Sequence, residues 1–178
     1  MNVFISGGCK NGKSYYAQRR AKEQADEFKK PLYYIATMIP HDDEDRARIK
    51  RHICEREGWG FTTIEQGKNL IDILSNDKID RAGVFLMDSV TALLNNEMFD
   101  EAGNVDYQAP ARIRQEVLEF AAGTGNTVFV SDYIYGDAAS YSKTTEDYRR
   151  GLASIDRALA KECEQVVEVS YGMQERWK

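Results

Sequence analysis

Cysteine, proline and histidine are scarce in this 178-residue chain, which holds three, three and two of them. Cys9, Cys54 and Cys163 are odd in number and far apart, and no CxxC pair occurs. Neither a disulfide framework nor a zinc site is indicated, and a reducing cytoplasm is the expected setting. Prolines stand only at positions 31, 40 and 110, so there is no Pro-rich linker. Internal repeats and low-complexity segments are absent as well. No apolar run approaches the ~18 residues of a membrane span. The opening Met1-Asn2-Val3-Phe4-Ile5-Ser6 lacks a basic first segment, so no secretory leader is expected. Positive charge is in deficit, with 24 Lys and Arg against 29 Asp and Glu and a net charge of -5. That argues against a broad nucleic-acid surface. It leaves room for a nucleotide, which needs only a few local cations.

What is present reads as globular: 42% hydrophobic and 30% charged residues in a length that suits one domain over 1–178. Short runs rich in β-branched or aromatic residues fall at 3–6, 32–36, 84–87, 127–131 and 166–170, and each reads as a buried strand. Charged segments with helical spacing lie between them, at about 13–28, 42–57, 89–99, 107–122 and 144–164. The alternation predicts an α/β fold, a mostly parallel sheet with helices on both faces. Ligands bind such sheets beyond the carboxyl ends of the strands. Those ends are followed by Gly7-Gly8, Thr37-Met38, Asp88 and Asp132-Tyr133.

Residues 7–14, Gly7, Gly8, Cys9, Lys10, Asn11, Gly12, Lys13 and Ser14, spell G-x-x-x-x-G-K-S between a strand and a helix pattern. This is a P-loop, and it predicts binding of a purine nucleoside triphosphate. Glycines allow the tight turn that points successive N–H groups at one phosphate. The helix start adds its positive dipole end. Lys13 would reach the β- and γ-phosphates, and the Ser14 hydroxyl would ligate Mg²⁺. Asp88 closes an apolar strand and fits a Walker B acid for the same ion, although an aspartate there would also cap the next helix. His52 lies on a highly charged helix. Arg48, Arg51, His52 and Arg56 share much of one face, which suits either phosphate contacts or plain solvation.

These segments resemble, in order and over essentially the whole chain, the bifunctional adenosylcobinamide kinase / adenosylcobinamide-phosphate guanylyltransferase family of cobalamin synthesis. Gly7-Gly8-x-x-x-Gly12-Lys13-Ser14 is similar to its G-G-x-x-S-G-K-S, with Asn11 in place of serine. Tyr34-Ile35-Ala36-Thr37 resembles Y-I-A-T. Arg48-Ile49-x-x-His52-x-x-x-Arg56 resembles R-I-x-x-H-x-x-x-R. Trp59, Thr62 or Thr63, and Glu65 resemble W-x-T-x-E. Asp88-Ser89-Val90-Thr91 with Asn96 resembles D-C-L-T followed by S-N.

The resemblance implies a RecA-like P-loop fold, homo-oligomers that are often trimers, and two reactions. One is phosphorylation of the aminopropanol hydroxyl of adenosylcobinamide. The other is transfer of GMP from GTP, through a histidine phosphoramidate, to adenosylcobinamide phosphate. It implies His52 as the nucleophile and Ala36, Thr37, Met38, Arg56 and Glu65 as guanine-nucleotide contacts. The departures cluster late. The family's N-E-V-G-x-G is here Asp132-Tyr133-Ile134-Tyr135-Gly136-Asp137, its I-V-P is absent, and its F-R-D-x-x-G-x-x-N-Q reads Tyr148-Arg149-Arg150, then Ala153, then Asp156-Arg157. The nucleotide half is kept and the half expected to meet the corrinoid is altered. Two other readings follow from that alteration: a relative acting on a different small-molecule acceptor, and a nucleotide-binding regulator without turnover.

Overall fold

The apolar runs do form strands, because β-branched and aromatic side chains fit a sheet buried on both faces. The computed structural model describes residues 1–40 and 42–178; His41 lies outside the described residues, as do the side chains of Arg48 and Glu55. The basic-face reading of Arg48 therefore lies outside what is described. The strands are β1 (Val3–Gly7), β2 (Leu32–Ala36), β3 (Thr62–Glu65), β4 (Val84–Asp88), β5 (Thr127–Asp132), β6 (Gln165–Ser170) and β7 (Met173–Arg176). The helices are α1 (Lys13–Phe28), α2 (Asp43–Glu55), α3 (Val90–Met98), α4 (Ala109–Thr124) and α5 (Lys143–Glu162), with a 3₁₀ turn at Leu70–Ser75. The sheet order is β3-β2-β4-β5-β1-β6-β7, parallel except for the β6–β7 pair.

Two apolar layers enclose the sheet. On one face α1 lies close, because Ala17, Ala21 and Ala25 recur every fourth residue and meet Val3, Ile5, Val84, Leu86 and Val128 without bulk. On the other face α3, α4 and α5 pack larger side chains, Leu93, Leu94, Ile113, Phe120, Ile155 and Leu159, onto Phe4, Phe85, Met87 and Phe129. Phe85 is fully buried, stacked on Tyr33 and edge-on to Phe120. Gly151 of α5 touches Pro110 of α4 so closely that a Cβ there would lie 2.7 Å from the proline ring.

β3 and β7 are the strands that sequence patterning did not anticipate. Both are edge strands of four residues with mostly or wholly exposed side chains. Backbone pairing to one neighbour holds them, and that leaves no hydrophobic alternation to read. Among the described residues no helix is long and apolar enough to cross a membrane.

Candidate nucleotide and phosphoryl-transfer site

β5 separates the P-loop strand β1 from β4, so three strand ends converge: Gly7, Asp132 and Asp88. β6 passes close to the first of them. A Cβ on Gly7 would lie 2.2 Å from the Val169 carbonyl oxygen, so only glycine fits. The loop then turns through Lys10 at φ 58° and Gly12 at φ 85°, the left-handed region that favours glycine. Gly12 caps α1 without a side chain, and no acidic residue lies in the first turn. The N–H groups opening α1 are thus left to an outside anion. α2 differs. Its cap, Asp42, accepts the Asp45 N–H, and Asp43, Glu44 and Asp45 already answer its dipole.

The Lys13 side chain is 8% exposed, and its Nζ donates to Gly8 O and to Asp132 Oδ1, each at 2.8 Å. Asp132 had no assigned role from the sequence alone. The signal available was the one used for Asp88, a carboxylate ending a buried strand. Asp88 itself does not cap α3. Ser89 does, accepting the Ala92 N–H at 3.2 Å. The Asp88 carboxylate instead accepts the Tyr34 hydroxyl at 3.1 Å. The Arg56 guanidinium, buried at the end of α2, lies 3.5 Å from the centre of the Tyr34 ring. A chain of contacts therefore runs from α2 through Tyr34 to Asp88. Trp59 adds an edge-on contact to Tyr15 of α1, with centroids 5.9 Å apart.

One cavity of about 510 Å³ gathers seven of the fifteen expected site residues, with Ser14 as its P-loop member. Ser14, Ala36, Met38, His52, Arg56, Glu65 and Asp88 all line it, and the volume lies in the usual range for small-molecule sites. His52, half-buried in the last turn of α2, thus faces the same space as the P-loop serine. Thr37 is not among the lining residues. It is fully buried, and its hydroxyl donates to Ser89 O at 2.9 Å and accepts the Ser89 N–H at 2.6 Å. Asn96 braces the same turn by donating to Thr37 O at 2.7 Å and Gly67 O at 2.9 Å. Cys9 and Lys10 are exposed and Asn11 half-buried, all in the loop outside the cavity lining. Ser14 and Asp88 offer the cavity a hydroxyl and a carboxylate. Among the described residues no cluster of three His, Cys, Asp or Glu is able to hold a metal alone. That donor set fits a Mg²⁺ that arrives on a triphosphate and completes its shell with phosphate oxygens and water.

Behind the strand ends lies a buried polar group. Asp156 of α5 is 2% exposed and accepts the hydroxyls of Ser131 at 3.0 Å and Tyr135 at 2.9 Å. Burial pushes its carboxyl up to about 7, helped by the charge of Asp132 and opposed by those two hydrogen bonds.

Comparison with known proteins agrees with this geometry. The family model described as cobinamide kinase / cobinamide phosphate guanyltransferase matches residues 3–176. The bifunctional adenosylcobalamin biosynthesis protein CobU of Escherichia coli (strain K12) is 27% identical over 184 residues, covering 97% of each chain. Among solved structures, the flagellar accessory protein FlaH from Methanocaldococcus jannaschii superposes with a TM-score of 0.55 at 13% identity, over 99% of this chain and 77% of that one. The ATPase domain of G40P gives 0.53 at 12% identity, over 94% and 68%. These two likenesses bear on the fold, which is the RecA-like P-loop type.

Proposed function

Because the chain belongs to the cobinamide kinase / cobinamide phosphate guanyltransferase family, we propose that it phosphorylates adenosylcobinamide and then guanylylates the product, using one nucleotide cavity and His52. The observation that carries this reading is the shared lining of the 510 Å³ cavity by Ser14, Asp88 and His52. A phosphate-binding loop serves any P-loop kinase. A histidine facing the same space adds a nucleophile.

In the guanylyl transfer an imidazole nitrogen of His52 attacks the α-phosphorus of GTP. The N–P bond forms, the bond to the bridging oxygen breaks, and pyrophosphate leaves. A phosphate oxygen of adenosylcobinamide phosphate then attacks the same phosphorus, the P–N bond breaks, and imidazole is restored. The attacking atom is a ring nitrogen that carries a free lone pair. Lys13 and the N–H groups of residues 7–14 grip the phosphates. Arg56, Glu65, Ala36 and Met38 border the nucleoside end, and Thr37 supports their loop from behind. Ser14 and Asp88 would hold Mg²⁺, which when bound neutralises charge on the phosphates. GTP is the donor for the second reaction, and GTP or ATP serves the first. Assembly as a homo-oligomer in the cytoplasm, with the trimer as the family's frequent form, belongs to the same proposal; light scattering on the purified chain reads the assembly size directly.

Incubation with α-labelled GTP should leave an acid-labile, alkali-stable label that His52→Ala removes. Label kept by that variant would rule out His52 as the nucleophile. Labelling without any turnover of adenosylcobinamide would mean that the acceptor is another small molecule.

A further inference from the structure

The buried Asp156 lines a cavity that the nucleotide chemistry does not use. It holds about 180 Å³ and shares no lining residue with the nucleotide cavity. Ser6 of β1, Glu168 of β6, Asp156 of α5, Tyr133 and Tyr135 after β5, and Trp177 after β7 all contribute to it. We propose that this cavity binds a small primary ammonium compound, with the charged group between Asp156 and Ser6 and the carbon chain against the aromatic rings.

Three observations support it. First, two buried oxygens on this one cavity have no hydrogen-bond partner among the described residues. Ser131 and Tyr135 both donate to Asp156 Oδ2, which leaves Asp156 Oδ1 alone, and Ser6 Oγ is alone as well. Buried polar atoms are costly in that state. An ammonium group carries three donors and no acceptor, so it answers both oxygens at once.

Second, the charge has the right sign. Arg157 and Glu168 both line the cavity and cancel, so the ionised Asp156 leaves the lining negative. Burial, helped by the charge of Asp132, holds the Asp156 carboxyl near 7, and no cation is among the groups that shift it. A cation beside it would favour the carboxylate. A phosphate or carboxylate ligand would meet two acids and one arginine.

Third, the walls suit a cation with a short apolar stem. The Tyr133 and Tyr135 rings meet edge-on with centroids 4.7 Å apart, and Trp177 adds a third ring. Aromatic faces attract ammonium groups. The volume falls below the roughly 300 Å³ at which pockets for larger ligands begin, so the ligand has only a few carbons and a nucleotide is excluded. The site is tied to the phosphate loop, because Ser6 precedes Gly7 and the Tyr133 N–H donates to Gly7 O at 2.9 Å.

The test is calorimetric titration of the full chain with propylammonium chloride at pH 8 and constant ionic strength. Saturable binding is expected with a dissociation constant on the order of 1 mM, in keeping with so few ligand atoms. The uncharged n-propanol should bind roughly tenfold more weakly or worse, and Asp156→Asn should weaken propylammonium by a similar factor. That variant keeps an oxygen for Ser131 and Tyr135, and circular dichroism checks that it is folded. Trp177 is largely exposed, and Trp177→Ala should weaken binding about threefold through the lost ring. Heat that never saturates overturns the site. Equal affinity in Asp156→Asn overturns the charge contact, and equal affinity for n-propanol reduces the cavity to an apolar slot. Unchanged affinity in Trp177→Ala places the amine elsewhere and overturns the cavity assignment.

Discussion

Asp88 and Asp132 end neighbouring parallel strands, yet their surroundings differ. Asp88 faces the nucleotide cavity, hydrogen-bonded by Tyr34, whose ring carries Arg56. Asp88, Tyr34 and Arg56 each match the family's pattern. Asp132 pairs with Lys13 and lines a separate cavity from that of Asp88, and it opens the stretch where this chain departs from the pattern. Behind Asp132, two of the departures touch each other. Tyr135 stands where the family has glycine and Asp156 where it has asparagine, and the tyrosine hydroxyl donates to that carboxylate at 2.9 Å. The altered side is therefore a rebuilt polar cluster with internal bonding, while the nucleotide side is held to one chemistry by the phosphates it must grip.

Lys13 joins the two sides, and its removal should have the largest effect. Lys13→Ala should abolish tight triphosphate binding and lower turnover by roughly 10²–10³-fold or more, the scale of losing one charge-stabilising donor. Unchanged affinity by calorimetry would defeat the P-loop assignment and with it the whole contrast.

Asp156 comes next, through pH. Its folded-state carboxyl sits near 7, above the ordinary aspartate value. The folded protein therefore holds a proton that the unfolded chain releases, and stability falls as pH rises from about 4 to about 7. Asp156→Asn keeps an oxygen for Ser131 and Tyr135 and removes the charge. Denaturant unfolding should find this variant about 2–4 kcal/mol more stable than wild type at pH 8, and little changed near pH 4. An equal difference at both pH values would mean that the buried charge is not what distinguishes this side.

The smallest effect is expected where the nucleotide side relies on stacking. Arg56→Lys loses the planar contact over Tyr34, worth about 1–2 kcal/mol. GTP binding by calorimetry and GMP labelling should weaken several-fold. Unchanged affinity and labelling would show that the contact over Tyr34 does not support the nucleotide side.

Much of the fold was legible from sequence because burial writes itself into it. The five interior strand patterns came through, since β1, β2, β4, β5 and β6 bury apolar side chains. The helix at 13–28 matches α1 from end to end. β3 and β7 were not legible, because edge pairing uses backbone groups that every residue has. The expected sites at Ser14, Ala36, Met38, His52, Arg56, Glu65 and Asp88 share one cavity. Thr37 shows the limit of motif reading, for its hydroxyl is spent on the backbone of Ser89 rather than on the cavity.

The chain by itself determined the P-loop and the strand-and-helix alternation, since glycine conformations and hydrophobic periods are local properties. Tertiary structure decided which residues share a space. Placing β5 between β1 and β4 is a choice of strand order, and no local rule encodes it. That choice brings Asp132 within 2.8 Å of Lys13 across 119 residues of sequence, and folds α2 so that His52 faces the cavity Ser14 enters.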